Sequence, residues 1–486
     1  MKLFIKDIVS ASGGRLSEGM PDLEIKGVSI DSRTLKKGEI FFALKGKNFN
    51  GHSYLGDVFS RGACGAVIEE GFGGREGFAF LKGESGERGG GNFSVVSVQD
   101  TLLALGKAAL FVRDGSKRPL IAVSGTSGKT TTKEMIASIA GQSENVLKTA
   151  GNMNNLIGLP LTLLSLNSVH SLIVVELGIS EPGEMKRLSG ICRPDIAVIT
   201  NIGRAHLEKL RTEEGVAKEK VLLYDSLGKG GVRVVNTDDP LLTRFTEGRG
   251  GEKITFGRKD GADVLIKEYF CDTPSTLTAV YEVRGKTVAA KIASPFLSNV
   301  YNGAAAIAAL LPIGVKIADI EKGFLSFAPV RGRMEVLRIG GWTVLDDTYN
   351  ANPSSVEAAL KTLSSFNGRK VAVLGDMLEL GEGSEGAHLE AGRIAADCGI
   401  DAIVTVGRFG DAVKQGAVDK GMKKEDVFSF SSNEEASEEL KRILKEGDTV
   451  LVKGSRGARM EDIIEALIGR RPGRRPGVAV NLKGRE

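Results

Sequence analysis

The chain has 486 residues, of which 41% are hydrophobic and 26% charged, a balance that fits folded globular domains and excludes a largely disordered chain. At about 100–200 residues per domain this length holds two to four domains, and we read three. With 65 basic and 61 acidic residues the net charge is only +4, and the clearest basic cluster is the terminal Arg470, Arg471, Arg474 and Arg475, which is too little to suggest a nucleic-acid partner.

The four cysteines, Cys64, Cys192, Cys271 and Cys398, are far apart and form no Cys-x-x-Cys pair. That spacing argues against a zinc site or a disulfide framework and for thiols in a reducing cytosol. Residues 1–14 carry Asp7 inside their apolar stretch and lack the long apolar core of a secretory leader. No run of 18 apolar residues occurs either. We therefore expect a cytoplasmic protein without membrane insertion.

In chain order, the densest glycine patch, residues 71–91, reads as a flexible excursion within a smaller first α/β domain, residues 1–99. A helical pattern over 101–112 passes through Asp114, Gly115, Ser116 and Pro119 into an apolar strand at 120–123. Strands at 121–124, 172–176, 196–200 and 232–236, separated by helical stretches such as the one from about Thr130, are the pattern of βαβ units and a mostly parallel sheet. This series defines a central domain, 100–328. A second series at 342–345, 371–374, 402–406 and 449–452 defines a third α/β domain, 329–486, that ends in the basic tail.

The strand at 121–124 runs straight into Gly125, Thr126, Ser127, Gly128, Lys129, Thr130 and Thr131, and then a helix. Glycines let such a turn aim backbone N–H groups at phosphate oxygens, the lysine adds charge, and the following threonine can offer its hydroxyl to Mg²⁺. Val123 stands where the strict phosphate-loop motif has its first glycine, so the assignment rests on the strand-loop-helix context. Glu176 ends the strand 172–176, and a carboxylate at that end is placed to hold the metal or its water. Lys133, one helical turn beyond Lys129, reads as dispensable for phosphate binding.

Further along come Gly151-Asn152-Met153-Asn154-Asn155-Leu156-Ile157-Gly158, Glu176-Leu177-Gly178 and Thr200-Asn201-Ile202-Gly203-Arg204-Ala205-His206. With the phosphate loop they resemble the Mur ligases, the amide-forming enzymes of peptidoglycan precursor synthesis. Arg331-Gly332-Arg333-Met334-Glu335, Asp346-Asp347-Thr348-Tyr349-Asn350-Ala351-Asn352-Pro353 and Leu374-Gly375-Asp376-Met377-Leu378-Glu379-Leu380-Gly381 look like the branch that joins D-alanyl-D-alanine to a UDP-N-acetylmuramoyl-tripeptide. The resemblance reaches from Ser29 to Arg456. Two departures are visible: Lys209-Leu210-Arg211-Thr212 replaces an aromatic followed by Gly-Ser, and Phe296 and Ser298 stand where the family often has Gly and His.

The resemblance implies a first domain for the uridine nucleotide, a central ATPase domain and a third, dinucleotide-fold-like domain. It implies ATP and Mg²⁺, an acyl-phosphate intermediate, and a monomer. Carried over residue by residue, His206 helps to hold a second Mg²⁺, and Lys220 rather than Lys218 is the lysine the family carbamylates, giving a metal set of Thr130, Glu176, His206 and Lys220. Asn299 and Asn302 meet adenine, Arg333 the phosphates and Asp347 the ribose. Ser32, Arg33, Lys45, Gly46, His52, Asn152, Asn154 and Asn155 meet the nucleotide precursor. Other readings are a different amino-acid ligase of the superfamily and a phosphate-loop nucleotide-binding regulator without ligation chemistry.

Overall fold

The computed structural model describes residues 2–46, 49–72 and 93–470. Most of the glycine patch and the tail after Arg470 lie outside the described residues.

Three α/β domains follow one another, each built on its own sheet. The first sheet orders its strands Arg15–Glu18, Ser94–Val98, Gly65–Glu69, Glu39–Phe42 and Gly27–Ser29. Only its first pair is antiparallel. The helix Thr101–Gly115, capped by Asp100 accepting from Leu103 N at 2.8 Å, then leads into the central domain.

The central sheet has nine strands among the described residues. Leu120–Ser124 lies between Leu172–Glu176 and Ile196–Ile199 and is parallel to both. Val146–Lys148 forms one edge, while Val232–Asn236 and Glu252–Gly257 continue the other side. The chain thus leaves Leu120–Ser124 toward one edge and later returns to its opposite side. This is the switch point where an open α/β sheet forms a crevice beyond its carboxyl ends.

Successive residues of the central strands point to opposite faces. Ile121, Val123, Val174 and Val198 meet the helices Lys129–Ala140 and Ser298–Leu310, whereas Ala122, Ile173, Val175 and Ala197 meet Gly158–Leu164, Glu184–Cys192 and Glu213–Asp225. Full burial of a Val, Leu or Ile contributes roughly 1.5–3 kcal/mol. The two apolar faces therefore fix the sheet, and the loops beyond its ends are free to carry polar chemistry.

The sequence pattern did not reveal the rest of this sheet. Val264–Thr273, Thr276–Val283 and Lys286–Ile292 extend it, the last two by antiparallel pairing. The third domain orders Glu335–Ile339, Trp342–Asp347, Thr449–Lys453, Lys370–Gly375, Ala402–Val406 and Val427–Phe430, with one antiparallel edge pair and the rest parallel. Asp347 and Lys453 thereby end adjacent strands, Asp347 paired in register with Lys453. Among the described residues no helix is long and apolar enough to cross a membrane.

Candidate active site

The turn after Leu120–Ser124 is held from behind by the turn after Ile196–Ile199. Thr126 N donates to Asn201 O at 2.9 Å, Ser127 N to Asn201 Oδ1 at 2.9 Å, and Thr200 Oγ1 to Ser127 O at 2.6 Å. Gly125 has φ 142° and Gly128 φ 83°, values that suit glycine. Gly128 caps the helix Lys129–Ala140, whose first-turn N–H groups have no acceptor within the helix. Lys129 Nζ folds over its own loop, donating to Gly125 O at 2.9 Å and Thr126 O at 3.1 Å.

A Cβ at Gly128 would overlap Asn302 Oδ1. Gly128→Ala should therefore misplace the loop through both the clash and the left-handed backbone, a strain of about 1–3 kcal/mol. Gly190→Ala meets nothing within 4 Å and replaces a helical glycine, so it should instead stabilise by about 0.4–1 kcal/mol. Thermal unfolding and ATP affinity of the two variants check this; equal behaviour would contradict the loop geometry.

Glu176, 2% exposed, accepts from Asn154 Nδ2 at 2.8 Å through Oε1. Its Oε2 is buried without a hydrogen-bond partner among the described residues. Lys220 is 1% exposed and donates to Gly125 O at 2.9 Å, the same carbonyl that Lys129 meets. Lys218, on the same helix, is exposed. Burial pushes the Lys220 amine well below the usual lysine range; the neighbouring Lys129 ammonium adds to this, and Glu219 opposes it. Burial also lowers Lys129, with Glu176 opposing and Arg333 adding to the shift.

Lys133, one turn beyond Lys129, turns away from the phosphate loop into the interior. It is 0% exposed, donates to Thr149 O at 2.7 Å and lies 2.8 Å from Glu134 Oε1. Thr149 Oγ1 in turn accepts from Glu176 N at 3.0 Å, so Lys133 supports the strand end that presents Glu176.

The third domain closes the opposite wall of a cleft of about 870 Å³. Arg333 reaches Thr130, Nη2 to Oγ1 at 3.4 Å, with its guanidinium 3.9 Å from the centroid of the Tyr349 ring; its Nε is buried without a partner among the described residues. Lys453 and Asp347, both nearly inaccessible, pair at 2.5 Å, and Lys453 also donates to Asn350 O at 3.0 Å. Asn352 Nδ2 reaches Ser127 Oγ at 3.5 Å. His206, in the left-handed region at φ 55°, lies with Nδ1 2.5 Å from Glu379 Oε2 of the third domain.

The cleft brings together Thr126–Thr131, Asn152, Asn154, Asn155, Glu176, His206, Asn302, Arg333 and Asp347. Asn299 lies behind this surface, accepting from Asn302 Nδ2 at 2.9 Å, and Lys220 lies behind the loop. The cleft also gathers Phe296, Tyr301, Tyr349 and Lys453, which were given no individual role, and Asp238, which lies in none of the motifs. Tyr301 donates to Asp238 Oδ2 at 3.0 Å.

The first-domain candidates are elsewhere. Arg33 makes a two-pronged pair with Asp31 at 2.9 and 2.7 Å. Both ring nitrogens of His52 are engaged, one with Asn50 Oδ1 at 2.7 Å and one accepting from Glu69 N at 2.9 Å.

As hard oxygen donors, Glu176 and Thr130 suit Mg²⁺, which takes one or two protein oxygens together with phosphates and waters, and the unpartnered Glu176 Oε2 fits that demand. Among the described residues no three His, Cys, Asp or Glu side chains cluster as a self-sufficient metal cage.

A three-domain α/β architecture with a phosphate loop facing an arginine across an interdomain cleft defines a nucleotide-dependent ligase class. Sequence comparison gives the family. The Mur ligase middle domain matches residues 123–310, the Mur ligase glutamate ligase domain 332–456 and the Mur ligase family catalytic domain 24–111. The UDP-N-acetylmuramoyl-tripeptide–D-alanyl-D-alanine ligase of Bacillus subtilis is 33% identical over 476 residues, covering 96% of this chain and 99% of that protein. Its Escherichia coli counterpart is 31% identical, covering 92% and 94%. The crystal structure of MurF from Acinetobacter baumannii superposes with a TM-score of 0.87 at 31% identity, covering 97% of this chain and 99% of that one. MurF from Thermotoga maritima in complex with ADP gives 0.79 at 28%, covering 93% and 99%. The chain belongs to the Mur ligase family and is closely related to its tripeptide–D-alanyl-D-alanine ligases.

Proposed function

We propose that the chain joins the amino group of D-alanyl-D-alanine to the terminal carboxylate of UDP-N-acetylmuramoyl-tripeptide, converting ATP to ADP and phosphate. The near-full-length match to ligases of that name carries this reading. A carboxylate at neutral pH has no adequate leaving group. Attack of its oxygen on the γ-phosphorus releases ADP and leaves an acyl-phosphate; the amine then attacks the acyl carbon, phosphate departs and the amine loses a proton.

Positioning and neutralisation of charge carry most of such a phosphoryl transfer. Lys129 and the first-turn N–H groups hold the phosphates from one wall, and Arg333, steadied by Tyr349, meets them from the other. Thr130, Glu176 and His206, with Lys220 from behind the loop as its carbamate, would hold Mg²⁺, which would further neutralise phosphate charge. Asn302, braced by Asn299 and packed against the loop at Gly128, would meet adenine, and Asp347, fixed by Lys453, the ribose. Asn152, Asn154 and Asn155 face the precursor's peptide. Ser32, Arg33, Lys45 and Gly46 receive its nucleotide on the first domain, with His52 shaping that loop. Domain closure excludes water from the acyl-phosphate.

The working unit in this reading is a monomer, divided at 99/100 and 328/329. It acts in the cytoplasm, where ATP and UDP-linked precursors are found.

The amine specificity is the test. One extra methyl in an apolar pocket gives only about 1–3 kcal/mol, whereas a site built to pair with a peptide group rejects substrates lacking it far more strongly. With UDP-muramoyl-tripeptide and ATP, kcat/KM for D-alanyl-D-alanine should exceed that for D-alanine by more than about 200-fold, and should also exceed that for L-alanyl-L-alanine and glutamate. Preference for glutamate, or for a free diamino acid with a UDP-muramoyl-dipeptide, would move the chain to another branch of the family.

A further inference from the structure

We propose that Glu379 of the third domain is a positioning residue for His206 of the central domain, holding the imidazole by Nδ1 so that Nε2 is the nitrogen presented to the nucleotide cleft. The contact is interdomain and close: His206 Nδ1 is buried from solvent and lies 2.5 Å from Glu379 Oε2, the two meeting by proximity rather than as an aligned hydrogen bond. Both residues have left-handed backbones, φ 55° and 64°, which non-glycine residues adopt rarely and keep only where the surroundings over-determine them.

Those surroundings lie on both sides of the boundary. Glu208 N donates to Glu379 O at 3.2 Å. Leu207 packs against the third-domain core around Leu374, Met377 and Leu380 as well as against its own domain. Gly381, at φ 61°, comes close enough to Glu208 that an added Cβ would lie 3.4 Å from the Glu208 Cα. His206 lines the cleft and Glu379 does not. The carboxylate therefore acts through the ring, leaving one imidazole nitrogen for a ligand, as an outer carboxylate does for a metal-binding histidine. Docking of the third domain and orientation of a cleft nitrogen become one event.

The part of this inference that concerns a metal rests on the functional reading above; the orienting contact does not. The chain has only four histidines, so ring-¹⁵N spectra of the nucleotide-free full-length protein can be assigned by substituting His206. Glu379→Gln and Glu379→Ala, each checked for unchanged thermal unfolding, should move His206 from the Nδ1–H tautomer toward a mixture rich in Nε2–H, leaving His52, His170 and His388 unaltered. In calorimetric titrations of ADP at varied Mg²⁺, Glu379→Ala should raise the Mg²⁺ requirement about 10–100-fold, and should add nothing in a His206→Ala background.

His206 resonances unchanged by both substitutions would overturn the proposal, as would an equal further loss in the His206→Ala background. A tautomer change with an unaltered Mg²⁺ requirement in Glu379→Ala and His206→Ala alike would uphold the positioning contact and remove His206 from the metal set.

Discussion

Lys129→Ala should abolish ligation, lowering kcat by about a thousandfold or more, as expected when a cation that stabilises transferring phosphate is deleted from a low-dielectric site. In the structure this ammonium lies back on the Gly125 and Thr126 carbonyls, with Glu176 and Arg333 as the charges it feels most. Its removal leaves the loop's backbone donors in place but takes away the charge they surround. Initial-rate phosphate release with all substrates present is the measurement, after each variant is shown to be folded. Lys218→Ala is the suitable control because that side chain is exposed on the helix Glu213–Asp225. Lys133→Ala is not, since it would leave the Thr149 carbonyl unpaired at a cost of about 1–3 kcal/mol and loosen the end of the Glu176 strand. Activity in Lys129→Ala within tenfold of Lys218→Ala would contradict the phosphate-loop reading.

The central strands were legible because most are short, continuous apolar runs bounded by glycine or polar residues, the pattern of a strand buried on both faces, Arg233 being the one charged residue inside Val232–Asn236. Leu172–Glu176 ends on the carboxylate anticipated at the tip of that run. The phosphate loop was legible despite Val123 because its backbone conformation is set by Gly125 and Gly128, not by the missing first glycine.

The long hairpins after Gly257 were harder to see. Val264–Thr273 is buried only at its start, so its outer half carries little apolar alternation. The burial of Lys133 was not legible, because a lysine's letter does not report it; its place one turn after Lys129 reveals nothing of the Thr149 carbonyl it meets across a strand connection. Tyr349, Lys453 and Glu379 matter through partners distant in sequence, Arg333, Asp347 and His206, and no local spacing encodes those contacts. The first-domain candidates were carried by resemblance alone, and the full engagement of both His52 nitrogens could be learned only from the folded loop.

Lys220→Ala should lower ligation by at least about 100-fold while Lys218→Ala leaves it near normal, and Lys220 in the active protein should carry a carbamate. The helix Glu213–Asp225 turns Lys220 inward, where its amine shares the Gly125 carbonyl with Lys129. Two ammonium groups so close in a buried site repel each other, and burial disfavours either charge; the pair is relieved if one amine is neutral, and Lys220, which has no carboxylate hydrogen-bonded to it among the described residues, is lowered well below the usual lysine range. A neutral amine is the form that attacks CO₂, forming an N–C bond and releasing a proton, and the product carries a negative charge next to Lys129 and toward bound cations. The sign with pH follows. Acidification protonates the free amine and should lower carbamate occupancy, whereas added bicarbonate near neutral pH should raise it. Native mass spectrometry of the intact protein should detect one added CO₂ that is lost in Lys220→Ala and retained in Lys218→Ala. An unmodified Lys220 at saturating bicarbonate, with Mg²⁺ and nucleotide bound and full activity, would leave the amine as a brace for the Gly125 carbonyl and nothing more.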